Sequence, residues 1–400
     1  MNKKEVNKGK TMSNILLCVS GGIAAYKAID LASRLSQGGH TVKTILSANA
    51  QRFVSQLSFA AITAQSTHSD MFADPDPIAH IHLADWADLV VIAPATANIM
   101  AKAAYGIADD LMSTTLLAHT KPKLWVPAMN VNMYNNHATQ TNLATLKDRG
   151  DFVLEPVSGH LACGYSGKGK YPPNEEVVAA VNCYLHYGRD LEGIRVLVTA
   201  GATEEPIDAM RKITNNSSGK MGLSLCRALA LRGAKVSLVH GSMKYPVPYY
   251  LYEVVSAPTV QEMHSEVTQR QKDQDWIIKC AAVSDYRPAQ AFEGKLKKSS
   301  EVLNLELEPT QDILAYLSEH KPKGQKLIGF AAQSDELIPN AIKKLQKKNL
   351  DMICANYLST SGKADTAITV IKAKDQENPV QLDGPKELVA HKIIDQIKEL

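Results

Sequence analysis

The sequence predicts two consecutive doubly wound α/β domains with mainly parallel sheets, and three observations carry that prediction. Short, near-continuous apolar runs alternate with helix-length amphipathic stretches, the pattern of parallel strands covered by helices on both faces. The pattern stops at a glycine and a charged link within NCYLHYGRDLEG (182–193) and restarts at RVLVTAG. The 400 residues also exceed what one hydrophobic core usually accommodates.

In chain order, the strands of the first half are expected at ILLCVS (15–20), TVKTILS (41–47), DLVVIAP (88–94), KLWVPAM (123–129) and FVLEP (152–156). Those of the second half are RVLVTAG (195–201), KVSLVHG (235–241), YEVVSA (252–257), WIIKCAAVSD (276–285), KLIGFAA (326–332), DMICAN (351–356) and TAITVIK (366–372). Both halves open as strand, Gly-rich turn and helix, the Rossmann-like beginning, yet show no residue-level repeat, so shared architecture describes them better than duplication. The organisation is therefore a flexible extension (1–13), a first domain (14–189) and a second (190–400).

With 45% apolar and 21% charged residues, 23 Gly and 18 Pro, the composition is that of a folded globular chain and excludes collagenous, mucin-like and disordered classes. Forty-four Lys and Arg against 41 Asp and Glu leave a formal charge of +3, so no nucleic-acid or membrane partner is expected and any anion site must be local. Six scattered cysteines without a Cys-x-x-Cys pair argue against a disulfide framework or zinc cluster and for a reducing cytoplasm. The basic N-terminus is followed by an apolar run of five residues, ILLCV, shorter than the roughly 7–15 of a signal peptide. No run reaches the roughly 18 apolar residues of a membrane span, so the protein is expected to be soluble.

After the first strand, Ser20-Gly21-Gly22-Ile23-Ala24 feeds a helix whose free N–H groups suit a phosphate. The third glycine of the dinucleotide fingerprint is missing, and the second strand ends at Ser47-Ala48-Asn49 without an acid for a ribose hydroxyl. NAD is thereby disfavoured, and a mononucleotide such as FMN, which needs only the phosphate cradle, is preferred. Taken alone, the turn reads equally well as tight packing. Pro94-Ala95-Thr96-Ala97-Asn98 and Pro127-Ala128-Met129-Asn130 then place small and amide side chains at strand ends, where open sheets bind ligands. Those asparagines would otherwise be helix caps. His80 and His82, at i and i+2, would share a face on an extended segment, but no third ligand stands at metal spacing, so a single catalytic histidine is favoured. The glycine-punctuated stretch Ala162–Lys170, holding Cys163, reads as a lid.

GGIAAYK, AHIHLADWADLVVIAPATAN, PAMNVNMY and LACGYSGKGK, in this order and spacing, resemble the flavin-containing cysteine decarboxylases across residues 14–185. Within that group the match is to the bacterial bifunctional phosphopantothenoylcysteine decarboxylase/phosphopantothenate–cysteine ligases of coenzyme A synthesis. The resemblance implies FMN as cofactor, against Gly21, Gly22, Ile23, Ala24, Ser47, Pro94, Ala95, Thr96 and Asn98. It makes His80 the catalytic histidine, Asn130 the contact to the substrate carboxylate and Cys163 the lid thiol that protonates an enethiol intermediate. Two departures stand out: Lys170 occupies a position usually held by Arg, losing bidentate geometry, and Tyr165 replaces a residue that is often polar or acidic.

In the second half, Ser217-Ser218-Gly219-Lys220 before an apolar helix offers hydroxyls and N–H groups to phosphates. It is not a Walker A sequence, because the first Gly lies too far upstream and Gly219-Lys220 is followed by Met221, so a P-loop ATPase is disfavoured. Asp285 is expected at the end of strand 276–285, where a carboxylate suits Mg²⁺ or a ribose. Lys295-Leu296-Lys297-Lys298 and Lys343-Lys344 with Lys347-Lys348 concentrate positive charge, although lysine runs are usually solvated surface. TAGATEEPIDAMRKITNNSSGKMG, CAAVSDYRP, KLKK, GFAAQS and KKNLDMICAN resemble the ligase domain of the same family across 190–400.

That resemblance implies CTP with Mg²⁺, 4′-phosphopantothenate and L-cysteine as reactants. Asn215 handles the acyl-cytidylate, Lys295 helps to form it, and Ala281 and Ala282 form the floor of the nucleotide site. Asp285, Phe330, Lys344 and Lys348 align with nucleotide positions, and Gln311-Asp312-Ile313-Leu314 stands where the family often has Pro-Asp-Ile-Val. The family further implies a homo-oligomer: trimer-based decarboxylase assemblies, up to dodecamers, and dimeric ligase domains. A flavin-binding regulatory protein without activity and a nicotinamide-dependent reductase are the competing readings. The first is opposed by the presence of His80, Asn130, Cys163, Asn215 and Lys295, the second by the missing acids.

Overall fold

A computed structural model describes residues 12–161, 164–297, 302–358 and 365–400. Cys163, Lys298 and most of the expected N-terminal extension lie outside the described residues. The chain divides into two compact units, Met1–Gly188 and Arg189–Leu400.

The first unit holds strands β1 (Asn14–Val19), β2 (Thr41–Leu46), β3 (Thr67–His68), β4 (Leu89–Ala95), β5 (Lys123–Pro127) and β6 (Phe152–Val153). They form one all-parallel sheet in the order β3-β2-β1-β4-β5-β6. Between β1 and β4 the winding reverses, which opens a crevice at the strands' carboxyl ends. Ile15–Val19 and Leu89–Ala93 are wholly buried, as strands covered on both faces must be. The helices are α1 (Ala25–Gln37), α2 (Gln56–Thr63), α3 (Ala79–Trp86), α4 (Ala97–Tyr105), α5 (Leu111–Ala118), α6 (Val131–Asn135), α7 (His137–Asp148) and α8 (Asn174–Tyr187). On α1, Ala25, Ala28, Leu31, Ala32 and Leu35 make the apolar stripe that packs on the sheet. Side chains from α3, α4, α5 and α7 share a core with Leu16, Cys18, Val90, Ile92 and Trp125.

Two local expectations are corrected here. Residues 79–86 are helical, because Ala79, Leu83 and Ala84 supply a helical rather than alternating buried face. At about 100° per residue His80 and His82 then point to different sides, so the shared-face geometry is lost. His82 is instead exposed and hydrogen-bonded to Asp76 at 2.6 Å. FVLEP is a strand only at Phe152–Val153; a separate antiparallel hairpin follows, β7 (Val157–His160) and β8 (Ser166–Lys170).

The second unit contains β9 (Arg195–Ala200), β10 (Glu204–Pro206), β11 (Lys212–Thr214), β12 (Lys235–His240), β13 (Glu253–Ser256), β14 (Trp276–Lys279), β15 (Tyr286–Pro288), β16 (Leu307–Pro309), β17 (Lys326–Gln333), β18 (Met352–Tyr357), β19 (Asp365–Lys372) and β20 (Asp375–Pro385). Its main sheet runs β13-β12-β9-β14-β17-β18-β19-β20, parallel as far as β18 and antiparallel in the last two pairings. Helices α9 (Lys220–Leu231) and α13 (Lys386–Lys398) cover one face, and α10 (Val260–Arg270), α11 (Ile313–Glu319) and α12 (Leu337–Lys347) the other. The strand expected over 276–285 ends at Lys279. Beyond it the backbone turns across the end of β9: Ala281 N–H donates to Thr199 Oγ1 at 3.1 Å and Ala282 N–H to the Gly201 carbonyl at 2.8 Å. Asp285 therefore stands in a loop. Among the described residues no helix is long and apolar enough to cross a membrane.

Candidate functional sites

In the first unit the turn after β1 is clamped at the carboxyl edge of the sheet. Ser20 Oγ donates to the Pro94 carbonyl at 2.7 Å and accepts from Thr96 N–H at 3.0 Å, so the ends of β1 and β4 are held together. A Cβ on Gly21 would lie 2.3 Å from Asn49 Cβ, so only glycine lets this turn pass the loop after β2. Gly21, Gly22, Ser47, Pro94, Ala95 and Thr96 are thus brought to neighbouring strand ends. No side chain caps α1, and the N–H groups of Gly21, Gly22, Ile23 and Ala24 find no acceptor among the described residues. Four adjacent free donors at the start of a 13-residue helix form an anion cradle and fit a mononucleotide phosphate. Asn98 lies exposed in the first turn of α4, whose cap is Thr96.

Asn130 caps α6, accepting from Asn132 N–H at 2.8 Å. The hairpin β7–β8 packs directly on this segment. Met129 N–H donates to the Gly169 carbonyl at 2.9 Å, and a Cβ on Gly169 would meet the Met129 carbonyl oxygen at 2.4 Å. The alternating glycines of the expected lid therefore serve close approach to the Asn130 segment. The hairpin's second anchor is a residue the sequence did not single out, Glu155. It accepts from Tyr134 Oη, from Lys147 Nζ at 2.8 Å and from Lys168 Nζ at 3.0 Å, joining α6, α7 and β8. Burial alone would raise its pKa, but Lys147, Tyr134 and Lys168 together outweigh burial and hold it down to about 2. His80 sits on the first turn of α3 with its Nδ1 buried and unpartnered among the described residues, and within them no hydrogen bond ties it to another predicted residue.

The second unit encloses a cavity of about 940 Å³ at the carboxyl ends of β14, β17 and β18 and the start of α9. Every predicted nucleotide residue but one lines it: Asn215, Ser217–Lys220, Ala281, Ala282, Asp285, Gln311–Leu314, Phe330, Lys344 and Lys348. Its walls are cross-braced. Thr310 Oγ1 donates to the Ser284 carbonyl at 2.6 Å and Thr310 N–H to the Asp285 carbonyl at 3.0 Å. Asp312 caps α11 and pairs with Lys348, while Lys344 Nζ donates to the Phe330 carbonyl at 2.9 Å. Burial lowers the Lys344 pKa. The cavity also takes in Lys279 and Lys386, which sequence reasoning passed over. Lys295 is the exception: it is exposed and does not line the cavity. Its loop is held by Leu296, whose N–H donates to Asp208 Oδ2 at 3.1 Å and whose carbonyl accepts from Arg211 at 2.9 Å. Among the described residues no group of three or more His, Cys, Asp or Glu is arranged to hold a metal ion.

Two doubly wound units, one with an anion cradle and one with a lysine-lined cavity, define a tandem α/β enzyme with a small-molecule site in each unit. A flavoprotein family model matches residues 3–186, and the model of the DNA/pantothenate metabolism flavoprotein C-terminal domain matches 191–400. Coenzyme A biosynthesis bifunctional protein CoaBC of Bacillus subtilis (strain 168) is 44% identical over 371 residues, covering 90% of this chain and 91% of that protein. The proteins of the same name from Vibrio vulnificus (strain CMCP6) and Mycobacterium tuberculosis (strain ATCC 25618 / H37Rv) are 39% and 37% identical. They cover 96% and 98% of this chain, and 97% and 98% of their own lengths. The chain belongs to the family of bifunctional coenzyme A biosynthesis proteins. It is an enzyme with phosphopantothenoylcysteine decarboxylase and phosphopantothenate–cysteine ligase activities.

Proposed function

We propose that residues 14–189 carry the decarboxylase and residues 190–400 the ligase, and that the ligase product is the decarboxylase substrate. The observation that carries this reading is the gathering of the predicted nucleotide residues around one cavity of the second unit, with a separate anion cradle in the first. In the ligase, the 4′-phosphopantothenate carboxylate attacks the α-phosphorus of CTP and pyrophosphate leaves. The cysteine amine then attacks the acyl carbon, CMP departs and the amine loses its proton. Ser217, Ser218 and the start of α9 hold phosphate oxygens. Lys344, Lys348 and Lys295 offset charge on the transferred group, aided by Mg²⁺ at Asp285. Asn215, an exposed residue of the cavity lining, holds the acyl-cytidylate.

In the first unit, the N–H groups of Gly21–Ala24 hold the FMN phosphate, with Ser47, Pro94, Ala95, Thr96 and Asn98 placed around the cofactor. FMN supplies a transient electron sink, so the overall decarboxylation is redox-neutral. Asn130 orients the substrate carboxylate and His80 is the catalytic histidine. Cys163 returns a proton to the enethiol carbon. Assembly into homo-oligomers, trimer-based in the first domain and dimeric in the second, is supported in the first unit by large apolar side chains left exposed, among them Ile23, Tyr26, Phe53, Leu57 and Met133. The cytoplasm is the compartment this chemistry suits.

Protein purified from FMN-replete cells is expected to be yellow and to release FMN on denaturation, read by absorbance and chromatography. A colourless preparation that fails to take up added FMN would remove the cofactor assignment.

A further inference from the structure

Lys279 closes β14, the strand WIIK, at the floor of the ligase cavity. It is 8% exposed and forms no hydrogen bond or ion pair among the described residues. Its register partners on the flanking strands, Thr199 and Gly329, carry no charge. A lysine buried without an anion is costly, and folded proteins keep such groups paired or neutral. The nearby charges do not pair with it. Lys344 on α12 repels it, while Asp312, ahead of α11, attracts it but is itself ion-paired to Lys348. Cys280 follows it in the chain, and burial keeps that thiol protonated by pushing its pKa up to about 12.

We propose that Lys279 is a phosphoryl-binding residue of the ligase site, forming with Lys344 a buried two-lysine subsite completed only when a phosphate group enters. This deepens the ligase reading above and rests on it. The physical consequence is a proton linkage. Burial, then Lys344, depresses the Lys279 pKa to about 7, so near neutral pH a large fraction of the empty site carries a neutral amine. A phosphate beside the amine favours the ammonium, and binding draws a proton from solution. In the empty protein the sign is opposite to a stabilising pair. Between about pH 7 and the ordinary lysine range, the unfolded chain binds a proton that the folded chain does not, so stability rises with pH across that window.

The test is calorimetric titration of the full-length protein near pH 7.5 in two buffers of different ionisation enthalpy, with CTP/Mg²⁺, inorganic pyrophosphate and 4′-phosphopantothenate as separate probes. The wild type is expected to take up protons with whichever probe places a phosphate on the subsite, which identifies the source of that phosphate. Lys279→Met is expected to lose the uptake and to bind that probe at least about tenfold more weakly. Its melting temperature without probe should be equal or higher, because the cost of burying an unpaired lysine, charged or neutral, has been removed. Unchanged affinity in Lys279→Met would overturn the proposal. If that variant does not fold, absence of proton uptake by the wild type with all three probes overturns it, and uptake supports it. Wild-type protein that releases no pyrophosphate from CTP with phosphopantothenate would instead sink the ligase reading, which separates the two failures.

Discussion

Lys295→Gln is expected to lower CTP-dependent pyrophosphate release by at least about 100-fold, the scale on which a group that stabilises transition-state charge acts. Supplied phosphopantothenoylcysteine should still be decarboxylated at the wild-type rate. The prediction is sharp because Lys295 is exposed and its loop is held through the backbone of Leu296, so the substitution leaves the Asp208 and Arg211 anchors in place. A melting temperature within about a degree of wild type should accompany the loss, as for other surface changes. Lys295 does not line the cavity. Its role therefore requires that this lysine reach a nucleotide site, its own or that of a second copy, when nucleotide binds, and a ligase rate unchanged in Lys295→Gln would show that it never arrives. Loss of both activities would contradict two separate sites.

Cys163→Ser is expected to stall the decarboxylase after substrate oxidation. A serine hydroxyl is a far weaker acid than a thiol, so the enethiol carbon receives its proton much more slowly, with a loss of about 100-fold or more in product formation. In stopped-flow absorbance, adding phosphopantothenoylcysteine should bleach the flavin band as fast as in wild type, and recovery should fail. Unchanged phosphopantetheine formation would remove the proton-donor role. The anchor of the surrounding hairpin, through Glu155 and the Met129–Gly169 backbone bond, does not involve residue 163, so its placement should survive the substitution.

How far the sequence reached depends on what kind of interaction fixes each element. Strands buried on both faces, such as Ile15–Val19 and Leu89–Ala93, announce themselves as apolar runs. The turns at Gly21 and Ser217–Gly219 are legible because they lie between a strand and a helix. The hairpin Val157–Lys170 was not legible as strand, since its pairing depends on glycines pressed against another segment, and no buried side-chain face alternates along it. The edge strand Asp375–Pro385 is not legible for a related reason: its polar residues and prolines are tolerated only where one side needs no partner.

His80 and His82 illustrate period ambiguity over a short run. AHIHL alternates locally, and only the tertiary burial of Ala79, Leu83 and Ala84 decides for helix. Glu155 and Lys279 carry a usable signal in the sequence, because each is the lone charge closing an apolar run, in FVLEP and WIIK. A charge in that position must find a counter-charge or a ligand. Glu155 has its lysines, and Lys279 awaits an anion.

The central claim is that one chain performs two consecutive steps at two sites. The most direct measurement is a single incubation of the purified protein with 4′-phosphopantothenate, L-cysteine and CTP/Mg²⁺, followed by mass spectrometry over time. Phosphopantothenoylcysteine should rise and fall while 4′-phosphopantetheine, lighter by one CO₂, accumulates in step with pyrophosphate. Pyrophosphate release without phosphopantetheine, or no consumption of CTP at all in FMN-loaded protein, would contradict the account.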